Sequence, residues 1–161
     1  MSQDKWIPDG ITSVTPHFVR KDAAKAIEFY EKAFGAEVKQ RLNAPDGRVM
    51  HACLKFGNAA IFICDEFPEC GPALEPQTEK NAHVTIHLFV EDVDAAFKRA
   101  TEAGAKALMP PTDMFWGDRY SRLQDPFGQM WSIATHKEQL SQEQLEKNMA
   151  EAMQQMAGAA K

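Results

Sequence analysis

The strongest constraint on this chain is an internal repeat, because its second half follows its first half at an offset of 70 positions, as in Val14 and Val84. The segment VTPHFV at 14–19 aligns with VTIHLF at 84–89. One matched strand would be weak evidence, but a helix start, a helix core position and a turn keep the same offset. The further pairs are Asp22 with Asp92, Ile27 with Phe97, Gly47 with Gly117 and, with a slip of one, Gly35 with Gly104. Two copies of one module predict a pseudo-twofold structure in which equivalent strands present equivalent faces.

Each copy has the same predicted order of elements, namely one strand, one helix and three further strands. In the first copy, β-branched and aromatic residues predict the opening strand. Asp22 is a typical helix N-cap and Gly35 a typical helix end. The fold is therefore predicted to be α+β, with two tandem βαβββ modules. The predicted segments are the first module at 11–65, a proline-containing linker at 66–82, the second module at 83–138 and a helical tail at 139–161.

The tail is predicted to form one amphipathic helix. Ser141 is a suitable N-cap, and Gln144 stands at the capping-box position. One side of this helix is an apolar stripe. The stripe packs either on the body of the protein or on a second subunit, or the helix acts as a lid over a pocket. The apolar stripe at helical spacing consists of Leu145, Met149, Ala152, Met153 and Met156.

Composition and charge narrow the classes of function. The formal net charge is −5 and no basic run is present, which argues against a nucleic-acid partner. No apolar stretch approaches the roughly 18 residues of a membrane span, and the first residues lack the basic and apolar regions of a secretion signal. The three cysteines, Cys53, Cys64 and Cys70, are an odd number without zinc-finger spacing. We therefore expect a cytoplasmic protein with reduced thiols.

Alternation along the first strand of each copy separates two faces. One face is uniformly apolar in both copies and suits packing against the amphipathic helix. The opposite face carries Thr15 and His17 in the first copy and Thr85 and His87 in the second. If this side of the sheet curls into a trough, two Thr–His pairs line it.

Several segments resemble a known family. VTPHFVRKDAAKAIEFYEKAFGAE is similar to the opening of vicinal-oxygen-chelate proteins, the glyoxalase/bleomycin-resistance/extradiol dioxygenase superfamily. PDGRVMHACLKFG, DEFPE, TIHLFVEDVDAAF and FWGDRYSRLQDPFGQMWSIATH resemble its PhnB-like branch in particular. The resemblance spans residues 11–138. It implies a curled, eight-stranded mixed sheet in which each βαβββ module surrounds a cavity, usually in a homodimer.

Metal-dependent members of the family hold a divalent ion with four strand residues, typically His and Glu, and leave positions open for two substrate oxygens. Carried over to this sequence, these positions fall on Thr15, His51, Thr85 and Ser132, with Cys53 replacing His51 if the strand slips by two. The hydroxyl groups of Thr and Ser are poor ligands for such a site. The resemblance thus implies the family fold without most of its usual metal centre, so no cofactor is expected and a divalent metal is the alternative.

Three histidines, His17, His51 and His87, share the strand phase of the family's ligand positions. Imidazole is the commonest transition-metal ligand and titrates near neutral pH. The rings form either a displaced metal site or a general base, with His51 and His87 as catalytic candidates, or they are the polar lining of a binding cavity. The polar lining is favoured, because no carboxylate in the same phase completes a normal metal triad.

Cys64 offers one further chemical possibility. The hairpin at Gly57-Asn58 pairs residues whose numbers sum to 115, which places Cys64 across from His51. A Cys–His pair can generate a nucleophilic thiolate. A buried, unreactive cysteine is far commoner and is the favoured interpretation.

The loop FWGDR, residues 115–119, offers Trp116 and Arg119 as a clamp for a planar or anionic ligand. The alternative is structural, with Trp116 as a plug and Asp118 either capping the turn or pairing with Arg119. Arg122, farther along the same strand, is interpreted as a solvated residue.

These observations lead to a small-molecule-binding protein with a degenerate metal site, acting as a cytoplasmic homodimer. A metal-dependent lyase, isomerase or dioxygenase that uses the cavity histidines is the alternative. A non-catalytic protein that acts on a partner through its Met-rich tail is a third hypothesis. No Gly-rich turn between a strand and a helix supports a nucleotide-type cofactor. The predicted ligand-binding residues are Thr15, His17, His51, Thr85, His87, Trp116, Arg119 and Ser132.

Overall fold

A computed structural model describes residues 6–70, 78 and 83–159. Three helices are present among them, α1 (Ala23–Phe34), α2 (Val93–Glu102) and α3 (Gln142–Ala159). The strands are β1 (His17–Arg20), β2 (Glu37–Asn43), β3 (Val49–Phe56), β4 (Ala59–Asp65), β5 (Thr85–Phe89), β6 (Lys106–Asp113), β7 (Asp118–Gln124) and β8 (Met130–His136). No helix of the described part of the chain is long and apolar enough to cross a membrane.

The eight strands form two mixed sheets of four strands, in the orders β1-β4-β3-β2 and β5-β8-β7-β6. The pairs β1–β4 and β5–β8 are parallel, and the remaining pairs are antiparallel. The α+β class with two tandem βαβββ modules and a C-terminal helix is therefore confirmed. Most of the predicted linker, namely residues 71–77 and 79–82, lies outside the described residues.

The chain divides into two compact units. The first comprises Met1–Gln77 together with Glu102–Gly104, and the second comprises Thr78–Thr101 together with Ala105–Lys161. The change from the first unit to the second at Thr78 falls within the predicted linker.

Both module helices begin in the same way. The Asp22 carboxylate accepts a hydrogen bond from the Lys25 amide at 3.3 Å, and the Asp92 carboxylate accepts one from the Ala95 amide at 3.0 Å. These bonds satisfy amides that would have no partner within the helix. The repeat thus carries its capping chemistry as well as its hydrophobic pattern.

A side chain from the last strand of each module also holds the start of the helix. Asp65 on β4 accepts from the Ala23 amide at 2.8 Å and from the Val49 amide of β3 at 2.6 Å. Thr135 on β8 stands 70 positions after Asp65, and its hydroxyl accepts from the Val93 amide at 2.9 Å. The same joint is therefore built with a carboxylate in one copy and a hydroxyl in the other.

Each unit has its own hydrophobic core between its helix and one sheet face. In the first unit Ile27 and Tyr30 of α1 are buried with Leu54 and Ile63 of the sheet. In the second unit the buried residues include Val93, Ala96, Leu123, Trp131 and Ile133. Burial of these side chains supplies most of the stabilisation of each module.

The bounds of two strands follow from local chemistry. β1 begins at His17 and not at residue 11, where the predicted first module starts, since the Thr12 and Thr15 hydroxyls donate to nearby backbone carbonyls and favour a local turn. β6 continues through two prolines to Asp113. It tolerates Pro110 and Pro111 because it is an edge strand, which needs fewer amide donors.

The tail forms the predicted helix with the predicted capping box. The Ser141 hydroxyl accepts from the Gln144 amide at 3.2 Å, and the Gln144 side chain accepts from the Ser141 amide at 2.9 Å. Within the stripe Leu145 is half-buried, whereas Met149 and Met153 are 45% and 64% exposed.

Two features of the tail concern its place on the fold. The Met156 side chain of the stripe lies outside the described residues. Asn148 of α3 donates to the Phe115 carbonyl at 3.1 Å, which ties the helix to the loop between β6 and β7.

Candidate functional site

The predicted strand residues His17 and His87 lie on the sheet face opposite the helix of their module. In β1, Phe18 is buried and its ring centroid is 6.2 Å from that of Tyr30 on α1, whereas His17 points to the other side. In β5, Ile86 and Leu88 are half-buried and His87 is exposed. The strand alternation that the sequence predicted therefore separates core from candidate site in both modules.

The first module gathers two histidines around a phenyl ring. His17 is aligned with Phe62 in the β1–β4 pair. The Phe62 ring centroid lies 4.9 Å from that of His51 and 6.2 Å from that of His17, and the two histidine rings are 6.3 Å apart. Partial burial and the charge of His51 lower the pKa of His17. His17 is therefore mainly neutral at neutral pH.

The surroundings of Cys64 favour an unreactive thiol over a nucleophilic thiolate. The β3–β4 ladder has the predicted register, with Cys53 opposite Phe62, and its paired residues end one position before His51 and Cys64. Burial and the neighbouring Asp65 raise the pKa of the Cys64 thiol. A thiol that stays protonated at neutral pH is a poor nucleophile.

The second module joins two of the predicted site residues directly. His87 on β5 is aligned with Ser132 on β8, and the His87 Nδ1 atom lies 2.7 Å from the Ser132 hydroxyl oxygen. Ser132 is buried, and burial lowers the pKa of His87 although the charge of Asp118 opposes this shift. A neutral imidazole that shares a hydrogen bond with a buried hydroxyl is the centre of this site.

A row of five rings extends from this histidine, and we call it the aromatic row. The His87 ring lies 4.5 Å from Phe89 and stacks at 6.1 Å on Tyr120 with 16° between the planes. Tyr120 meets Trp116 at 5.5 Å, and Trp116 meets Phe115 at 5.0 Å, both edge to face. Since Phe89 is 61% exposed and Tyr120 and Trp116 are only half-buried, the row offers ring surface to a ligand.

A buried carboxylate fixes one end of the aromatic row. Asp118 accepts from the Trp116 indole Nε1 at 3.0 Å and lies 2.7 Å from the Nδ1 atom of His136. The sequence suggested that Asp118 caps the turn or pairs with Arg119. Its side chain instead orients Trp116 and His136, because Asp118 lies directly across from His136 in the β7–β8 ladder.

Arg119 is held away from the aromatic row. Its guanidinium forms a two-pronged ion pair with Asp94 of α2, at 2.6 and 2.8 Å, and also contacts Asp113 at 3.2 Å. Along β7 it alternates with Asp118 and Tyr120, so it faces the helix side of the sheet. The structure therefore does not bring Trp116 and Arg119 together as a clamp.

The loop that carries Trp116 is pinned by the segment after β8. The Gly117 carbonyl accepts from the amides of Lys137 and Glu138 at 2.9 and 3.0 Å. Gly117 has a φ of 93°, and a Cβ atom there would lie 2.3 Å from the Glu138 carbonyl oxygen. Only glycine fits this position without displacement of the backbone.

The two threonines occupy less central positions. Thr15 precedes β1 and donates its hydroxyl to the Thr12 carbonyl at 2.9 Å, so it is used within its own turn. Thr85 begins β5, is exposed and is aligned with Met130.

The donor atoms do not fit a family-type metal ion. Among the described residues, no group of three or more His, Cys, Asp and Glu side chains converges on one point. The His87 Nδ1 atom is engaged by Ser132, and the ring contacts of His17 and His51 are with each other and with Phe62. The described residues therefore do not provide the set of ligands that a metal ion of the family type requires.

Several residues of this face were not among the predicted site residues. Asp118, Tyr120 and Arg122 alternate along β7 and lie in the ladder opposite His136, Ala134 and Ser132. The alternating pattern of DRYSRLQ was a usable signal, since it puts these three side chains in one phase. The pairing register of β7 with β8 is needed, however, to tell which face of the sheet these side chains lie on.

Comparison with known families and sequences gives consistent results. The family model described as "Glyoxalase/Bleomycin resistance protein/Dioxygenase superfamily" matches residues 11–133. A Mycobacterium bovis protein described as uncharacterized is 39% identical over 140 residues, which is 86% of this chain and 92% of that protein.

Solved structures share the fold at lower sequence identity. TioX from Micromonospora sp. ML1 is 24% identical with a TM-score of 0.62, over 78% of this chain and 98% of its own. A Bacillus cereus protein described as "Putative 3-demethylubiquinone-9 3-methyltransferase, PhnB protein" is 16% identical with a TM-score of 0.60, over 77% and 99%. These likenesses concern the fold alone.

Proposed function

This chain belongs to the glyoxalase/bleomycin resistance protein/dioxygenase superfamily, and from that premise we propose that it is a small-molecule-binding protein without the superfamily's metal centre. The ligand is held against the aromatic row of the second module. Thr85, His87, Trp116 and Ser132 of the predicted set belong to this surface, and Tyr120 joins them. The first-module residues Thr15, His17 and His51 form a second, smaller lining.

The observation that carries this proposal is the exposed ring surface next to a few fixed polar groups. Small-molecule sites are mostly apolar and aromatic, with a small number of polar groups that set orientation. The near-parallel His87 and Tyr120 rings and the edge of Trp116 supply the apolar part. The hydrogen-bonded pair of His87 and Ser132 supplies the polar part. A flat molecule is the shape that such a surface accommodates best.

The metal-dependent lyase, isomerase or dioxygenase is retained as the second candidate because of one observation. The His17 and His51 rings lie 6.3 Å apart on the same sheet face. No described carboxylate or thiolate joins them as a third donor. We therefore rank this function below metal-free binding.

We further propose that the protein is a cytoplasmic homodimer. The superfamily supports the dimer, and the described cysteines, Cys53, Cys64 and Cys70, are free thiols as expected in a reducing compartment. Sedimentation equilibrium should give about twice the monomer mass of 18.0 kDa. A concentration-independent monomer would contradict the dimer.

Ligand binding is best followed through the Trp116 indole. In ¹⁵N-labelled protein, a neutral flat probe such as 2-naphthamide should shift the Nε1–H signal of Trp116, which donates to Asp118. The signal of Trp131 should stay, because that indole is buried against Asp125. Tyr120→Ala should weaken binding about tenfold through loss of ring contact.

The controls separate this surface from the rest of the protein. Met50→Ala, at an exposed apolar residue that alternates with His51 along β3 and so lies on the other face, should leave probe affinity unchanged. Zinc, nickel, manganese and iron(II) should not raise the melting temperature, since a metal that binds the native state would do so. A tightly held ion that is lost on His51→Ala would overturn the metal-free proposal in favour of the second candidate.

A further inference from the structure

Arg122 lies in line with the centre of the proposed site. It is directly opposite Ser132 in the β7–β8 ladder, and Ser132 is aligned with His87 in the β5–β8 pair. Directly opposed residues project from the same sheet face. His87, Ser132 and Arg122 therefore form one line across three strands, beside the aromatic row.

The guanidinium of Arg122 has no acidic partner among the described residues. Its cross-strand neighbours are Ser132 on β8 and Met109 on β6, and its side chain is exposed. By contrast, Arg48 and Arg119 are each bound by two carboxylates. The acid on the same face of β7 is Asp118, whose two carboxylate oxygens are engaged by Trp116 and His136. Arg122 is thus a positive group left available on the ligand-facing side.

The first module shows that this arrangement is specific to the second copy. The equivalent line there consists of His17, Phe62 and Cys53, as the β1–β4 and β3–β4 registers show. The histidine is kept, while a hydroxyl and a guanidinium in the second copy stand where the first has a phenyl ring and a thiol. Two polar replacements in one line convert an apolar surface into one that can receive an anion.

The hydrogen-bond chemistry of the line is also suited to an acceptor. Burial lowers the pKa of His87, so its ring is mainly neutral at neutral pH. When Nδ1 carries the proton, it donates to the Ser132 oxygen, and the Ser132 hydroxyl is free to donate to a ligand. Ser132 and Arg122 then present donors side by side, and Arg122 provides the fork that matches a carboxylate.

We infer that the ligand of this site is a planar carboxylate, with its flat part on the aromatic row and its carboxylate bound by Arg122 and Ser132. This inference rests on the proposed binding function and adds the charge of the ligand to it. The alternative is that Arg122 is a solvated residue without a role in binding, and it predicts no preference between anionic and neutral ligands.

The test compares 2-naphthoate with its neutral isostere 2-naphthamide, using the Trp116 indole signal at low salt. Wild-type protein should bind the carboxylate at least about tenfold more tightly than the amide. In Arg122→Gln the ratio should fall to about one, with amide affinity unchanged. Arg122→Lys should keep part of the preference, and Ser132→Ala should reduce it. The preference should also weaken as salt is added.

Arg99→Gln is the matched control, since Arg99 is an exposed arginine of α2 and its loss changes the net charge equally. It should keep the wild-type ratio. If neither probe shifts the Trp116 signal, the proposed function fails. If both probes bind equally and Arg122→Gln changes nothing, the inference of a carboxylate fails while the binding function stands. Melting temperatures of all variants show whether any loss reflects unfolding.

Discussion

Gly117→Ala should be among the most destabilising single methyl additions in this protein, lowering the free energy of unfolding by about 3 kcal/mol. Two costs add at this residue. Its φ of 93° is a conformation that L-residues rarely adopt, and the new Cβ would lie 2.3 Å from the Glu138 carbonyl oxygen. The backbone at 137–138 would have to move, which breaks the two amide bonds to the Gly117 carbonyl. Urea unfolding measures the loss.

The repeat provides a matched control for this substitution. Gly47 stands 70 positions earlier and has a φ of 90°, but a Cβ atom added there would meet nothing within 4 Å. Gly47→Ala should therefore show the conformational cost alone, about 1 kcal/mol. The difference between the variants isolates the contact with Glu138. Equal losses would show that this contact does not constrain the loop.

Gly117→Ala should also affect the candidate site, since Trp116 precedes the residue that moves. The Nε1–H signal of Trp116 should shift in the free protein as its bond to Asp118 is disturbed. Affinity for 2-naphthamide should fall at least about tenfold, by misplacement of a ring of the aromatic row. Gly47→Ala should preserve both signal and affinity.

The sequence was sufficient to predict the fold, because the same helix-capping and turn residues occur in both copies of the repeat. Asp22 and Asp92 were predicted as helix starts, and both accept the expected backbone amide. The capping box of α3 likewise depends on two residues three positions apart. Such features are visible in a sequence because every participating atom lies within one turn of chain.

The site was less accessible to sequence reasoning because its geometry depends on registers between strands. His87 and Ser132 were both predicted site residues, but their hydrogen bond follows from the β5–β8 alignment. Arg119 was predicted either to form a clamp with Trp116 or to pair with Asp118, whereas its partner Asp94 comes from α2 on the other face. Tyr120 was not predicted as a site residue, because none of the ligand positions carried over from the family lies on β7.

The two copies share a polar residue at one equivalent position and differ in chemistry at another. Asp65 and Thr135 fill the same structural position and both hold a helix start, so that position is kept polar in both modules. On the opposite face, Phe62 of the first copy corresponds to Ser132 of the second. The two modules therefore differ in their ligand-facing side chains, and the polar ones stand in the second copy.

Asp65→Ala should destabilise the first module by about 3 kcal/mol, because Asp65 is buried and holds two backbone amides from different elements. Removing the carboxylate leaves the Ala23 and Val49 amides without these acceptors. The equivalent change in the second module, Thr135→Val, removes the acceptor of one amide and the donor to the Val90 carbonyl, and without a buried carboxylate it should cost only about 1 to 2 kcal/mol. Urea unfolding compares the two variants.

Hydrogen exchange shows where the loss arises. In Asp65→Ala the amides of Ala23 and Val49 should exchange faster, while that of Val93 in the second module should be little changed. Asp65→Asn keeps one carbonyl acceptor and should fall between wild type and alanine. If Asp65→Ala and Thr135→Val destabilise equally, the carboxylate contributes no more than a neutral hydroxyl at this joint. A carboxylate and a hydroxyl would then be equivalent at the position that holds the start of the module helix.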